Sequence, residues 1–174
     1  MIESARLILR PWLDSDLDAL AAINADPAVH QWLGGPISRE MTQASIERQC
    51  GYQEAHGHCF WAATLRDGGT LVGMIGIQPV RFEERFTPAV DIGWRLGSEW
   101  QGRGLASEGA KAALDHGLNV LRLPNIVSFT AVGNRASRAV MERIGMVHDP
   151  DGDFDHPALA ADHPLRRHAL YRVK

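Results

Sequence analysis

The stretch Val90–Leu118, VDIGWRLGSEWQGRGLASEGAKAALDHGL, constrains the chain more than any other. Val90, Ile92, Trp94 and Leu96 alternate with Asp91, Gly93 and Arg95, the period of a half-buried strand. From Ala106 the period changes, and Ala106, Ala110, Ala113, Leu114 and Leu118 recur at helical spacing. Between the two lies Gln101-Gly102-Arg103-Gly104-Leu105-Ala106, with glycine or alanine where backbone comes close to a neighbour. Two readings follow. Either the glycines only turn the chain and let the helix pack closely, or they clear a path for an anion to the unpaired N–H groups and partial positive charge of the helix N-terminus. The stretch has neither the G-x-G-x-x-G of a dinucleotide fold nor the G-K-[ST] of a P-loop.

The rest of the chain supplies partners for this unit. Leu7–Trp12 is a short apolar strand ended at Pro11, followed by a helix that Asp14 or Ser15 can cap and that Asp26-Pro27 stops. A second, polar helix starts near Ser38 and runs toward Glu54, after a loop, Val29–Pro36, that places Trp32 beside two glycines. Phe60–Leu65 and Leu71–Ile77, joined through Asp67-Gly68-Gly69, make an antiparallel hairpin whose edge the strand from Val90 joins. Arg81–Pro88 reads as a solvated connection with aromatic packing at Phe82 and Phe86. Ile126–Val132 is a further strand. Asn134 caps a helix through Ile144 whose inward residues are Ala136, Ala139, Val140 and Ile144, with Gly145 at its left-handed end. Met146–His148 and His168–Val173 complete the strands, separated by a polar, proline-stiffened loop from Asp149 to Asp162. The order implies a mixed α/β sheet with helices on both faces.

Composition narrows the function. The 174 residues, 45% of them hydrophobic, can bury one sizeable core, so residues 1–174 are expected to form a single domain. A formal charge of −3 argues against a nucleic-acid binder. Cys50 and Cys59 have neither metal-ligand nor disulfide-scaffold spacing, and Glu3, Arg6 and Arg10 interrupt any apolar leader, so a cytoplasmic protein without a membrane segment is expected. Among the eight histidines, His148, His156, His163 and His168 are scattered between aspartates without zinc spacing, and no metal is expected.

Gln101, Gly104 and Ala106 stand on the three positions of the pattern Q/R-x-x-G-x-G/A, and in this they resemble the acyl-coenzyme-A pyrophosphate loop of the GNAT N-acetyltransferase superfamily. The resemblance extends through Arg6–Trp12, Asp91–Leu96, Asn134-Arg135-Ala136-Ser137, Gly145-Met146 and His163–Tyr171. It looks like the branch that includes the ribosomal-protein N-terminal acetyltransferases (RimJ/RimL-type). It implies a mostly antiparallel twisted sheet with a splayed central strand pair. It also implies acetyl-CoA as cosubstrate, with the backbone of Trp94, Arg95 and Leu96 pairing with pantetheine and one N–H reaching the acetyl oxygen. Gln101, Gly102, Arg103, Gly104, Leu105, Ala106 and Ser107 would hold the pyrophosphate, and Asn134 would contact the cofactor as well as cap its helix. Ser137 would donate to the leaving thiolate.

Acetyl transfer to an amine also needs a base. Asp91 stands where related enzymes carry glutamate, although a solvent-facing carboxylate or an ion pair with Arg81, Arg85 or Arg95 is the alternative, and Asp149 is a second candidate. Aspartate is the shorter acid at both places, which favours proton transfer through water. Trp32, Phe82 and Trp94 are candidates for the acceptor pocket, although aromatic residues at such places also serve as core. The expected activity is transfer to a primary amine, a protein N-terminus or a small amine, by direct attack in a ternary complex. A silent acyl-CoA-binding or regulatory module is the alternative. A monomer or homodimer is expected, and the strand His168–Val173 would offer an exposed pairing edge.

Overall fold

A computed structural model describes all of residues 1–174. The chain opens with β1 (Ile2–Glu3) and β2 (Leu7–Arg10), then α1 (Leu17–Ala25), α2 (Pro27–His30) and α3 (Arg39–His56). The hairpin β3 (Phe60–Leu65) and β4 (Leu71–Pro79) leads into β5 (Val90–Leu96) and α4 (Leu105–Asn119). There follow β6 (Ile126–Ala131), α5 (Arg135–Arg143), β7 (Met146–His148), β8 (Phe154–Asp155) and β9 (Arg167–Val173).

Two helix starts are those read from the sequence. The Ser38 hydroxyl accepts the Met41 N–H at the start of α3, and the Asn134 side chain accepts the Ser137 N–H at the start of α5. At α1 the expectation of an Asp14 or Ser15 cap gives way to Asp16. Its carboxylate accepts the Leu13 N–H at 2.9 Å and a bidentate pair from Arg10 at 2.6 and 2.8 Å, which compensates its burial. Asp26 ends α1 and in the same place caps α2 through the Ala28 N–H, with Pro27 at the first helical position. On α5 the inward set is Val140 and Met141, with Ile144 just beyond; Ala136, expected inside, is exposed.

The sheet runs β1-β2-β3-β4-β5-β6-β9-β7, with β8 also on β9. Every pairing is antiparallel except β5 with β6. The terminal strand is therefore interior: β9 pairs with β6 on one side and with β7 and β8 on the other. The exposed edge expected at His168–Val173 does not exist, because β7 and β8, the latter inside the presumed loop, cover it. The outer strands are short, so no long edge is left to recruit a partner.

β4 and β5 pair along their length, from Gly73↔Leu96 to Pro79↔Val90. The parallel pair of β5 with β6 ends after Val90↔Ile126 and Asp91↔Val127. Beyond Asp91 the two central strands part, and a cleft opens toward their C-terminal ends. Residues alternate between two apolar layers. Trp61, Ala63, Ile75, Ile77 and Ile92 join Leu105, Ala110, Ala113 and Leu114 of α4 and Val140 and Met141 of α5 in the main core. Ala62 and Met74 face the other way, toward Leu20 of α1 and Ile46 of α3. Phe86, Val127, Phe154 and Leu170 form a third cluster, against which Phe82 and Phe129 pack. No helix is long and apolar enough to cross a membrane.

Candidate active site

The strand-loop-helix unit ends in a row of free donors. None of the N–H groups from Gly102 to Ser107 finds an acceptor within the chain. Gly102 and Gly104 hold φ of 73° and 78°, a left-handed conformation that glycine adopts without a Cβ clash and that turns successive N–H groups to one side. The loop is braced from two directions. The Gln101 Nε2 donates to the Leu96 carbonyl at 3.0 Å, tying the loop to the end of β5. Arg6, on the approach to β2, donates through Nη1 to the Arg103 carbonyl at 2.9 Å and through Nε to Glu108 at 2.6 Å. The Arg103 guanidinium lies over the Trp100 ring, 5.0 Å from its centroid. Free N–H groups at the start of a helix are donors that could hold an anionic group.

The cleft beside the loop exposes strand backbone. The Val90 N–H bonds to the Asn125 carbonyl and the Ile92 carbonyl accepts the buried Ser128 hydroxyl at 2.7 Å, so the even-numbered residues of β5 turn their peptide groups toward β6. Beyond the point of parting, those groups belong to Trp94 and Leu96. Arg95 turns its backbone to β4 instead, opposite Met74. Its side chain donates to Asn24 of α1 at 2.8 Å, its Nε has no partner, and burial pushes its pKa down to about 10.

Asp91 sits where the strands part and makes no ion pair: Arg81, Arg85 and Arg95 all leave it alone. Burial of its carboxylate, without a compensating charge, pushes the pKa up to about 8. It opens onto a cavity of about 460 Å³ walled by Gln78, Pro79, Val80, Phe82, Phe129 and His156, with Arg81 also on its wall. Phe82 is therefore in the cavity with Asp91. His156, held neutral by burial and by its neighbours at a pKa of about 4, meets Phe82 edge-on with ring centroids 5.0 Å apart and lies tilted to His168 at 4.9 Å.

The remaining candidates lie elsewhere. Asn134 and Ser137 start α5 at the C-terminal end of β6, and so flank the same opening as the α4 loop. The ring of Trp32 sits over Gly133, within 3.7 Å of where a Cβ would lie, which brings the loop after α2 to the start of α5 and not into the Asp91 cavity. Trp94, alternating with Asp91, points its side chain to the main core on the opposite face. Asp149 is at the far side of β9, bonded to Arg172 at 2.6 Å and to the Gly152 N–H. Those bonds hold its pKa below the usual carboxylate value. The two candidate carboxylates are thus in different environments, one uncompensated and one paired. Arg6, Glu108, Phe129 and His156 were missed by sequence reasoning. Phe129 and His156 reach the cavity only through long-range packing; Arg6 and Glu108 stand in segments already singled out, but their pairing, across 102 positions, carries no local signal.

Residues 6–147 match the family model described as Acetyltransferase (GNAT) domain. The chain belongs to the GNAT acetyltransferase family. It is 30% identical to an acetyltransferase of known structure from Agrobacterium tumefaciens, with a TM-score of 0.78 over 99% of this chain and 93% of that one. It is also 30% identical over 139 residues to YdaF of Bacillus subtilis, provisionally named a ribosomal N-acetyltransferase, covering 78% of this chain and 74% of that protein. A RimL ribosomal L7/L12 alpha-N-protein acetyltransferase, solved in complex with coenzyme A, shares the fold at a TM-score of 0.75 and 20% identity, over 97% and 94% of the two chains. This GNAT enzyme therefore has acetyl transfer as its general chemistry, and its fold is one that uses acetyl-CoA.

Proposed function

We propose that the enzyme transfers an acetyl group from acetyl-CoA to a primary amine, a protein N-terminus or a small molecule, by direct attack in a ternary complex. The observation that carries this reading is the buried, unpaired Asp91 carboxylate, open to a cavity at the point where β5 and β6 part. An ammonium cannot attack a carbonyl carbon, so a group that holds its proton must lie on the acceptor side of the cleft. A carboxylate whose pKa lies near that of an amine is suited to this exchange, directly or through one water. Asp149, held ionised by Arg172, has little proton affinity to offer.

Acetyl-CoA, when bound, supplies an acetyl group activated as a thioester. The free N–H groups from Gly102 to Ser107 bind its pyrophosphate, and the peptide edge of Trp94 and Leu96 aligns the pantetheine arm. The Trp94 N–H offers a fixed donor for the charge that develops on the acetyl oxygen. Ser137 holds a proton at Oγ for the departing thiolate. Asn134 orients the first turn of α5 that carries this hydroxyl.

Free-thiol release from acetyl-CoA, measured across a panel of amines and N-terminal peptides, tests the reading. Turnover on at least one amine is expected. Tight acetyl-CoA binding with no turnover on any acceptor would identify a binding module instead.

A further inference from the structure

The Asp91 cavity carries a carboxyl and a guanidinium that do not pair with each other. Asp91 is buried in its floor, whereas Arg81, also on its wall, is exposed to solvent. Between them the wall is apolar: Pro79, Val80, Phe82, Phe129 and Pro157, with His156 neutral beside Phe82. Arg81 makes no hydrogen bond or ion pair in the chain.

A second guanidinium lies near. Arg48 of α3 neighbours Gln49, whose amide donates to Gln78 of the cavity wall at 2.9 Å. The Nε of Arg48 is buried without a partner, and its only hydrogen bond is from Nη2 to Ser45 at 3.1 Å. Burial, and then the like charge of Arg81, lower its pKa, and neither guanidinium meets a carboxylate. Two uncompensated guanidinium groups repel, and an anion between them would relieve that repulsion while forming charge-assisted hydrogen bonds.

We propose that the acceptor is a small amphoteric molecule, an amine and an anionic group separated by an apolar body. Its amine lodges against Asp91 and its carboxylate, or an equivalent anion, against Arg81 and Arg48. The inference rests on the amine-acetylating reading above and narrows its substrate class. A cavity of about 460 Å³ is of the size that takes a small molecule. The apolar wall suits an aryl or short alkyl body.

The test is a matched pair of acceptors of equal size, 4-(aminomethyl)benzoate and 4-(aminomethyl)benzamide, assayed by thiol release with saturating acetyl-CoA. The carboxylate is expected to have a kcat/KM at least about tenfold above the amide, and the ratio should fall toward one in Arg81→Gln and in Arg48→Gln. Equal rates on the pair, or a ratio unmoved by both substitutions, would overturn the anion subsite while leaving amine acetylation in place. A peptide acceptor far better than either small amine would also overturn it. Should no amine be turned over, the catalytic reading fails, and the subsite is decided by calorimetry with 4-(acetamidomethyl)benzoate. Binding to wild type that weakens at least about fivefold in Arg81→Gln supports the subsite, whereas no binding, or equal binding to both, refutes it.

Discussion

Arg6 and Glu108 meet across the front of the sheet. Glu108 accepts both the Arg6 main-chain N–H and its Nε, each at 2.6 Å, while the other arm of the same guanidinium holds the Arg103 carbonyl. The pair joins the approach to β2 to the first turn of α4, and so fixes the row of free N–H groups against the sheet. Being partly exposed, it should contribute little to stability, about 1 kcal/mol or less. Arg6→Met is therefore expected to raise the Kd for acetyl-CoA roughly three- to tenfold with a small change in Tm, as calorimetry and thermal unfolding would show. An unchanged Kd would mean that the loop holds its shape without the brace.

The glycine at the helix start gives a sharper case. Gly104 has a φ of 78°, and a Cβ placed there would stand 3.5 Å from the Arg6 guanidinium. Gly104→Val should strain the turn and push the phosphate off the N–H groups, weakening acetyl-CoA binding at least about tenfold, or roughly 1.4 kcal/mol. Unchanged affinity in a folded variant would reduce the loop to a simple turn.

Ser137 can be tested with little structural disturbance. The capping bond at this turn runs from the Ser137 backbone N–H to Asn134, so Ser137→Ala keeps it, and alanine suits a helix. The expected result is nearly intact acetyl-CoA affinity with kcat lowered by roughly ten- to a thousandfold, in the range for a positioned acid. Full wild-type turnover would remove Ser137 from the proton path.

The strand-loop-helix unit, the two side-chain caps and the order of the elements were legible because each depends on residues adjacent in sequence. Gly104, Ser38 and Asn134 declare themselves through local chemistry. The burial of β9 was not legible: whether His168–Val173 is an edge depends on where β7 and the two residues of β8 come to rest, and Phe154-Asp155 carries no strand period. Asp91 was legible as a candidate, but its distinction from Asp149 was not. That distinction comes from Arg172, 23 positions away, meeting one carboxylate and from no cation meeting the other.

Asp91 also carries a consequence for stability. Its folded pKa, about 8, lies above the ordinary carboxyl value near 4, so between those pH values the folded state keeps a proton that the unfolded state has lost. Stability should therefore fall as pH rises from about 4 to about 8 and level off above. Asp91→Asn cannot ionise and should lack that slope, being more stable than wild type at pH 8 to 9 and closer to it near pH 4. Denaturant unfolding of the two proteins at both ends of the range measures this, and parallel curves would mean that the carboxylate is solvated.

The most direct test of Asp91 as the base is the pH dependence of kcat, with both substrates saturating, in wild type and Asp91→Asn. The account predicts that wild-type kcat rises with pH through an apparent pKa near 8, as the buried carboxyl gives up its proton, and that the variant loses most of its activity and this limb together. A wild-type limb near pH 4, or a limb that survives unchanged in Asp91→Asn, would contradict it.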